Sequence, residues 1–436
     1  MSEETKKYLR SPGEIFVESV VIKSYNGFEM DIRSHIFEIV LHEAMDYPCL
    51  SGRLVVYDNI NMPRHFPLIG NEHVTITFYT PTRPKITKKF FCYKTDPRYE
   101  SESNRNSALF SIDFVSDEFM TSLKKKFSQS FRDMKYSEMV STIYTQYIQS
   151  PKKITIQPTH EKKNYVFPYM SPFGAINTLT TLSISEKSED KSFVFYEDLD
   201  GFYFTCVNYF AKAATDIVTY TWFKPNTPVD PDPKVLSNIE RDFYRIESYK
   251  QITSNNTINN IENGLFSSVM VLHDTTYKTL TSNTFSYNND FYLLNTLNKS
   301  GTLPTTNDSF SNFNYSHYRM YPRQSYNFDN AQQMDDFDRM ILRRNAHLSQ
   351  MENLRLSILV AGDSQRRVGE CVNVNIPSID PNDKNREGDY DIYLSGKYLV
   401  TRITHIIGKQ SYKMRLELER DSLPIAYPTT KTVENK

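Results

Sequence analysis

The chain has 436 residues, enough for two to four domains that each bury a core. Its 51 basic and 52 acidic residues leave a formal net charge of −1, which argues against nucleic acid or an anionic membrane as the main partner. Aromatic residues reach 14%, with 30 Tyr and 28 Phe, and such residues suit half-buried strands and large interfaces. The composition therefore favours β structure.

Residues 1–13 are predicted to form a flexible polar tail. This tail has no apolar stretch, so no signal peptide is expected, and no apolar run in the chain approaches the ~20 residues of a membrane-spanning helix. In residues 14–117, short apolar segments alternate with turn residues such as Asn26-Gly27 and Ser51-Gly52, a pattern typical of an antiparallel barrel or sandwich. The candidate strands are Phe16–Ile22, Ile36–Leu41, Arg53–Tyr57, Val74–Tyr79, Phe90–Tyr93 and Ala108–Phe114.

A basic run interleaved with aromatic residues falls inside this region. Such a pattern can bind single-stranded nucleic acid, or it can protect an edge strand from unwanted pairing. Because the chain is not basic overall, edge protection or a protein contact is the favoured interpretation. The run consists of Arg83, Lys85, Lys88, Lys89, Lys94 and Arg98.

From residue 118 the spacing of the apolar residues changes from that of strands to that of helices. Residues 118–210 are therefore predicted to form a separate α+β module. Glu118–Phe127 is a candidate helix, and Ser137 can cap a second one. Ser171-Pro172 is an N-cap followed by proline at the first helical position, which predicts a third helix. Two aromatic segments, Phe193–Tyr196 and Phe202–Phe204, predict a hairpin.

Residues 211–237 are predicted to be a connector, because the proline-rich stretch Pro225–Pro233 cannot continue a helix or a central strand. Strand patterning resumes in residues 238–274. Residues 275–352 are predicted to be an inserted domain, mostly polar, with a helix that opens at Asp335 or Asp336 and ends near Glu352.

The last β region, residues 353–425, contains the clearest hairpin, Gly396–Asp421, and a tail follows at residues 426–436. On the return strand, Met414, Leu416 and Leu418 alternate with Lys413, Arg415, Glu417 and Glu419, which places one face on a core. Val368-Gly369 before an alternating strand also echoes Ile69-Gly70 in the first β region, which suggests a duplicated barrel.

Catalytic and metal-binding motifs are not found. The sequence has no glycine-rich phosphate loop, no G-x-S-x-G and no H-E-x-x-H. The scattered cysteines Cys49, Cys92, Cys206 and Cys371 predict buried thiols rather than a zinc site. His405, among isoleucines, is expected to be structural. The acidic residues Asp335, Asp336 and Asp338 suit a helix start, and Asp380–Asp391 a solvated loop. No catalytic, cofactor or metal residue is predicted.

Three stretches carry a resemblance to a known family: Gly52–Tyr79, Tyr169–Phe204 and Leu356–Leu423. In order and spacing, the chain resembles the baseplate hub protein of contractile-tailed bacteriophages, in the same superfamily as the VgrG base of type VI secretion spikes. The resemblance implies a mainly β fold with two tube-protein-like antiparallel β-barrels flanking an α+β module, a further inserted domain, and a trimeric ring. It also implies a structural protein and not an enzyme.

The resemblance further implies the surroundings of the chain. Its partners would be two further copies in a homotrimer, the tail tube or tube-initiator protein, the central spike, the tape-measure protein and baseplate wedge proteins, with DNA only in transit. It would be assembled in the host cytoplasm and reside in the virion tail baseplate. A channel that passes DNA should be neutral or acidic. The candidate structural or interface residues are Gly70, Gly369, Gly396, Arg415, Glu417 and Glu419.

Three alternatives stay open from the sequence. A type VI spike base would normally continue into a repeated β spike, and the polar tail after Leu423 favours the phage interpretation. A tail-associated cell-wall hydrolase would need catalytic groups that the sequence does not identify. A carbohydrate-binding β protein would use the tyrosines, which are instead spread along the whole chain.

Overall fold

The computed structural model describes residues 11–62, 66–81, 83–96, 99–101, 104–160, 162–187, 191–207, 209, 217–223, 238–253, 256–274, 278–290, 296–298, 300–301, 317–322, 337–378, 390–409 and 411–425. Within these ranges the protein is mainly β, as predicted. No helix there is long and apolar enough to cross a membrane.

The first unit, residues 16–116, is a sheet of six main strands in the order β1-β5-β6-β8-β4-β3. All six strands were predicted, because alternating residues such as Leu54 and Val56 are buried while Arg53 is exposed. Its elements are β1 (Phe16–Lys23), β2 (Glu29–Asp31), a 3₁₀ turn (Arg33–His35), β3 (Ile36–Ala44), β4 (Ser51–Asp58), β5 (Glu72–Thr80), β6 (Arg83–Thr95), β7 (Tyr99–Ser101) and β8 (Asn104–Ser116).

The middle unit, residues 117–206, buries its own aromatic cluster, which includes Phe127, Phe131, Phe167 and Phe202. Ser171 caps the predicted third helix, because its Oγ accepts a hydrogen bond from the Gly174 amide at 3.3 Å. The elements are α1 (Asp117–Lys124), β9 (Phe127–Lys135), α2 (Tyr136–Ile143) with a π turn (Tyr144–Ile148), β10 (Lys153–Ile156), β11 (Lys162–Met170), α3 (Pro172–Leu182), β12 (Phe193–Glu197) and β13 (Gly201–Cys206).

The described residues from 217 onward form a barrel, a three-stranded sheet and a short two-stranded pair. In chain order the elements are β14 (Val218–Trp222), α4 (Asn238–Phe243), β15 (Arg245–Thr253), α5 (Thr257–Glu262), β16 (Ser267–Asp274), β17 (Thr279–Ser286), α6 (Tyr287–Asp290), β18 (Ser300–Gly301), β19 (His317–Pro322), α7 (Phe337–Glu352), β20 (Leu354–Ala361), β21 (Cys371–Asn375), β22 (Gly396–Ile407), β23 (Tyr412–Arg420) and β24 (Ser422–Leu423).

The second unit is a closed six-stranded barrel in the order β14-β21-β22-β23-β20-β15, with β15 pairing back to β14. Numbered by chain order, both units follow the same strand sequence: first, fourth, fifth, sixth, third, second. One strand differs in direction, because β14 runs parallel to β21 whereas β1 runs antiparallel to β5. No ladder joins β1 to β3 among the described residues, so the first sheet stays open there. A single apolar core extends through both units.

Several boundaries differ from the sequence prediction. The barrel is mixed rather than antiparallel, and β14 lies inside the stretch predicted to be a connector. β16 pairs with β17 and β19 in a separate sheet and not with the barrel, because an alternating pattern does not specify a partner strand. Ser51-Gly52 is not a turn but the start of β4.

Two helix predictions in the middle unit also need correction. The first helix ends at Lys124 because Lys125 is extended, and Phe127 begins strand β9. Ser137 does not cap the second helix: Lys135 is the N-cap residue, and its amide donates to the Glu138 carboxylate at 2.9 Å. The third helix and the Gly396–Asp421 hairpin lie where they were predicted.

Candidate functional site

The two six-stranded units are joined by a ladder between β3 and β22. Six residue pairs form it, from Arg402 opposite Ala44 to Ile407 opposite Ile39. β22 can pair with strands of both units because its first residues pair with β21 and its later ones with β3, while β23 pairs along nearly all of it. Eight strands of the larger sheet thus follow one another in antiparallel pairs, in the order β6-β8-β4-β3-β22-β23-β20-β15.

One face of this joined sheet is polar and carries a groove of about 710 Å³. Strand alternation puts the apolar residues of β3, β22 and β23 into the core and leaves every second side chain on this face. Polar and charged residues form much of the groove lining, together with a few apolar ones: Glu38, Val40, His42, Glu43, Ala44, Asp46, Tyr47, Arg402, Thr404, Ile406, Arg415 and Glu417. We call this surface the charge-paired face.

Ion pairs cover the second-unit half of the charge-paired face. Arg402 binds Asp46 and lies 3.5 Å from Glu417. Arg355 bridges Glu417 at 3.2 Å and Glu419 at 3.0 Å. These contacts cross the ladder between β3 and β22, which we call the seam, and they connect three adjacent strands. They hold the side chains of this face in place, while the backbone ladders hold the strands.

Ion pairs also cover this face on the first unit and between β23 and β15. Arg53 on β4 donates to Asp113 on β8 at 2.6 Å, and Lys94 lies 2.7 Å from Asp96. At the other end, Lys413 contacts Glu247 at 2.6 Å. Basic side chains on this face are therefore largely neutralised by carboxylates of the same chain.

Behind the seam, a buried polar group connects the two units. Glu43 on β3 contacts His405 Nε2 at 2.9 Å, and His405 Nδ1 lies 2.7 Å from the Tyr412 hydroxyl. All three side chains are almost fully buried. His405 thus has two placed partners and no access to solvent, which agrees with the predicted structural role. On the face itself, burial together with the nearby His405 and Arg53 lowers the pKa of His42.

The predicted site residues fall into two groups. Arg415, Glu417 and Glu419 lie together on the charge-paired face. Arg415 is exposed, and no carboxylate lies within ion-pair distance of it in the described part of the chain. Glu417 is partly buried, and burial raises the pKa of Glu419 to about 7 although Arg355 opposes the shift.

The three predicted glycines lie elsewhere, at turns and strand starts. Gly70 precedes β5 with φ +86°, and Gly369 precedes β21 with φ +92°. In both turns a nearby glutamate accepts a turn amide, since Glu72 binds the Gly70 amide at 2.9 Å and Glu370 the Arg367 amide at 3.4 Å. Gly396 begins β22 with φ +127° and faces Pro424. The two matching turns support the sequence echo.

Sequence reasoning missed Asp46, Arg355 and Arg402. Arg402 was overlooked in a strand of β-branched residues, although it and Glu417 lie at equal distances from the hairpin turn and pair across it. That symmetry was the available signal. Asp46 and Arg355 come from distant segments, and only the fold brings them to the hairpin.

The basic run of the first unit is also internally paired. β6 pairs with β5 along most of its length but with β8 only from Phe90 to Thr95. Lys85, Lys88 and Lys89 therefore lie on a stretch with one neighbouring strand among the described residues, which agrees with edge protection. Lys85 contacts Glu18 at 3.1 Å and Lys89 contacts Asp117 at 3.2 Å. Lys88 is largely buried, and desolvation lowers its pKa. Arg98, like Asp335, Asp336 and most of the Asp380–Asp391 loop, lies outside the described residues.

In the described ranges, no group of three or more His, Cys, Asp or Glu side chains could hold a metal ion. The four cysteines are buried and unbonded to one another, which confirms the prediction. Burial raises the pKa values of Cys49, Cys92 and Cys371, so these thiols are poor nucleophiles.

Comparison with solved structures gives the fold a context. The tail protein from Neisseria meningitidis MC58 aligns with a TM-score of 0.53 at 11% identity, over 94% of this chain and 99% of that one. The 43 kDa tail protein of prophage MuSo2 from Shewanella oneidensis aligns with a TM-score of 0.50 at 9% identity, over 94% and 100%. The chain has the fold of phage tail proteins.

A component of the E. coli type VI secretion system also aligns, at 9% identity over 96% of this chain and 79% of that chain, but its TM-score of 0.40 is too low to support an argument. No protein-family model and no curated protein sequence matches the chain. The tail-protein resemblance predicted from the sequence is therefore confirmed at the level of fold.

Proposed function

We propose that this chain is the baseplate hub of a contractile phage tail, acting as a trimeric adaptor between the six-fold tail tube and the three-fold central spike. One observation carries the proposal: two units of identical strand order are joined through β3 and β22 into one sheet. A chain that presents the same unit twice can form a ring with three copies and still offer six similar positions to the tube.

A closed three-fold ring needs head-to-tail contacts between copies. β15 supplies a suitable edge, because it pairs with β14 only at Arg245 and Ile246. Its residues 247–253 have no second partner within the part of the chain that the structure describes. Pairing of this edge with the next copy would remove an exposed sheet edge.

The charge-paired face is the proposed channel wall. A wall that bound phosphates would slow the passage of DNA, and free lysines and arginines provide that binding. On this face Arg53, Arg355, Arg402 and Lys413 each contact a carboxylate, whereas the exposed Arg415 has none within the described residues. The predominance of paired cations supports a nearly neutral lumen. The proposed function is mechanical: to hold the channel open for the tape-measure protein and DNA, and to contact the tube, the spike and the wedge proteins of the virion.

Cryo-electron microscopy of the intact tail particle tests the proposal. The expected result is three copies in a closed ring between tube and spike, with Arg402 and Glu417 toward the channel. A peripheral position, a copy number that does not close with three-fold symmetry, or a lysine-lined channel would contradict it. Light scattering of the purified chain is a weaker test, since assembly can require the neighbouring proteins.

A further inference from the structure

A cavity of about 520 Å³ lies where the middle unit meets α7 and the second unit. Its volume is within the roughly 300–1,000 Å³ that ligand pockets usually have. Its walls come from α1, α3, β12, α7 and the loop after β3, so elements distant in the chain converge on it. At its far end it reaches Arg402 and Glu419, at the edge of the charge-paired face.

Apolar side chains form most of the surface of the cavity wall. Phe119, Phe173 and Phe195 face it from the middle unit, and Leu348 and Met351 from α7. Leu123, also in the lining, is 56% exposed, so apolar surface continues to the mouth. Such a wall favours an aromatic or aliphatic side chain over water.

Arg344 is the polar group inside this apolar setting. It lies on the same face of α7 as Leu348 and Met351, at spacings of four and seven residues. Its guanidinium donates one hydrogen bond to the Phe193 carbonyl at 3.3 Å, and its buried Nε has no partner. No carboxylate lies within ion-pair distance of it among the described residues, and desolvation lowers its pKa.

Three carboxylates also line the cavity, those of Asp46, Glu352 and Glu419. Asp46 and Glu419 are paired with Arg402 and Arg355, and Glu352 is exposed to solvent. These carboxylates therefore have partners or water, whereas Arg344 has no counter-ion among the described residues and is only partly exposed to solvent. A buried charge is normally paired, so Arg344 is complementary to an added carboxylate.

We propose that this cavity binds an acidic, aromatic-containing peptide segment of a partner protein, with a carboxylate on Arg344 and an aromatic side chain against Phe119, Phe173 and Leu348. The carboxylate would accept from the guanidinium in a charge-assisted pair, and the ring would occupy the apolar wall. The inference goes beyond the proposed hub function and does not depend on trimer formation.

Isothermal titration calorimetry with two short peptides tests the proposal on the full chain. The probes are N-acetyl-Glu-Phe-amide and N-acetyl-Gln-Phe-amide, which have nearly the same shape and differ in that a neutral amide replaces the carboxylate. A hydrogen bond to a charged group contributes about 1.5–3 kcal/mol, so the Glu peptide should bind roughly 10- to 100-fold more tightly. Arg344→Gln should abolish this preference.

Arg343→Gln is the matched control, because it removes the same charge from the adjacent residue, which does not line the cavity. It should leave the preference unchanged. Equal affinity of the two peptides for the native chain, no saturable binding of the Glu peptide, or an undiminished preference in Arg344→Gln would each overturn the proposal. The comparison of peptides on the native chain stands even where Arg344→Gln lowers the melting temperature.

Discussion

A buried ion cluster lies between the middle unit and the first unit, and Lys152→Met tests how much it contributes to stability. Lys152 Nζ lies 2.6 Å from Glu118 and 2.7 Å from Glu197. Glu197 in turn accepts from the Ser116 hydroxyl at 2.6 Å and the Leu50 amide at 3.0 Å, both in the first unit. The cluster therefore connects elements on both sides of the interface.

The expected loss follows from burial. The Glu197 side chain is 0% exposed and that of Glu118 is 7% exposed, so methionine at position 152 leaves two carboxylates without their cation. Breaking a buried pair in this way costs about 3–5 kcal/mol. Burial already raises the pKa of Glu197 against the opposing effect of Lys152. Without the lysine this pKa rises further.

The pH dependence has a definite sign. A carboxyl whose pKa is raised by folding destabilises the folded state when it is ionised. The resulting loss in the free energy of unfolding is complete above the pKa of the folded state and disappears as the pH falls toward the pKa of the unfolded chain, about 4.3. Between these values the loss should shrink by about 1.4 kcal/mol per pH unit for each carboxyl that takes up a proton. Lys152→Met should thus be much less damaging at pH 5 than at pH 7.

Urea unfolding at both pH values provides the measurement. Far-UV circular dichroism follows the whole chain, and the fluorescence of Trp222, the single tryptophan, follows the barrel. Lys162→Met is the matched control, because its pair with Asp133 at 3.1 Å is exposed and contributes roughly 0–1 kcal/mol. Equal losses for the two variants at pH 7, or a loss independent of pH, would refute the reasoning.

Three further predictions concern other parts of the structure. The effect of Glu419→Gln on the free energy of unfolding should be more favourable at pH 8 than at pH 5, by at most about 3 kcal/mol. The reason is that the pKa of Glu419, raised to about 7, makes its ionised form costly in the folded state. Melting curves at the two pH values check this. Gly52→Ala should lower the free energy of unfolding by at least about 1–3 kcal/mol, since its Cβ would lie 2.3 Å from the Val40 carbonyl oxygen. Gly408→Ala, whose Cβ would meet the flexible Ser411 hydroxyl at 3.0 Å and the Ser411 carbonyl oxygen at 3.7 Å, should cost far less in the same urea unfolding experiment. Glu43→Gln should weaken the seam by about 1–3 kcal/mol and speed amide exchange in β3 and β22 more than in β9 and β11; uniform exchange rates would contradict this.

The sequence predicted strands more reliably than their partners. Alternation located all six main strands of the first unit and the β22–β23 hairpin, because burial of one face leaves a period of two. It did not show that β16 belongs to a separate sheet, that β14 closes the barrel, or that β22 bonds to β3. Those pairings depend on contacts between distant residues, on which a local pattern carries no information.

The candidate site shows the same division. Arg415, Glu417 and Glu419 were predicted because they share one alternating strand. Arg355 and Arg402 neutralise Glu417 and Glu419, but neither arginine was predicted. Arg355 comes from a distant strand, and Arg402 lies in a strand whose β-branched residues indicated only β structure. Gly52 was assigned to a turn for its residue type, whereas the structure needs it for the close approach of Val40 and Phe114.

The seam between β3 and β22 also sets the order in which the protein can fold during synthesis. His405 and Glu43 are 362 positions apart, so β3 has no β22 to pair with until nearly the whole chain has been made. At ribosomal speeds of about 5–20 residues per second, that interval lasts on the order of 20–70 s. Throughout it, the newly made first unit exposes an unpaired edge that can recruit strands of other nascent chains. We therefore expect factors that bind unfolded chains to raise the yield of folded protein by covering this edge during synthesis.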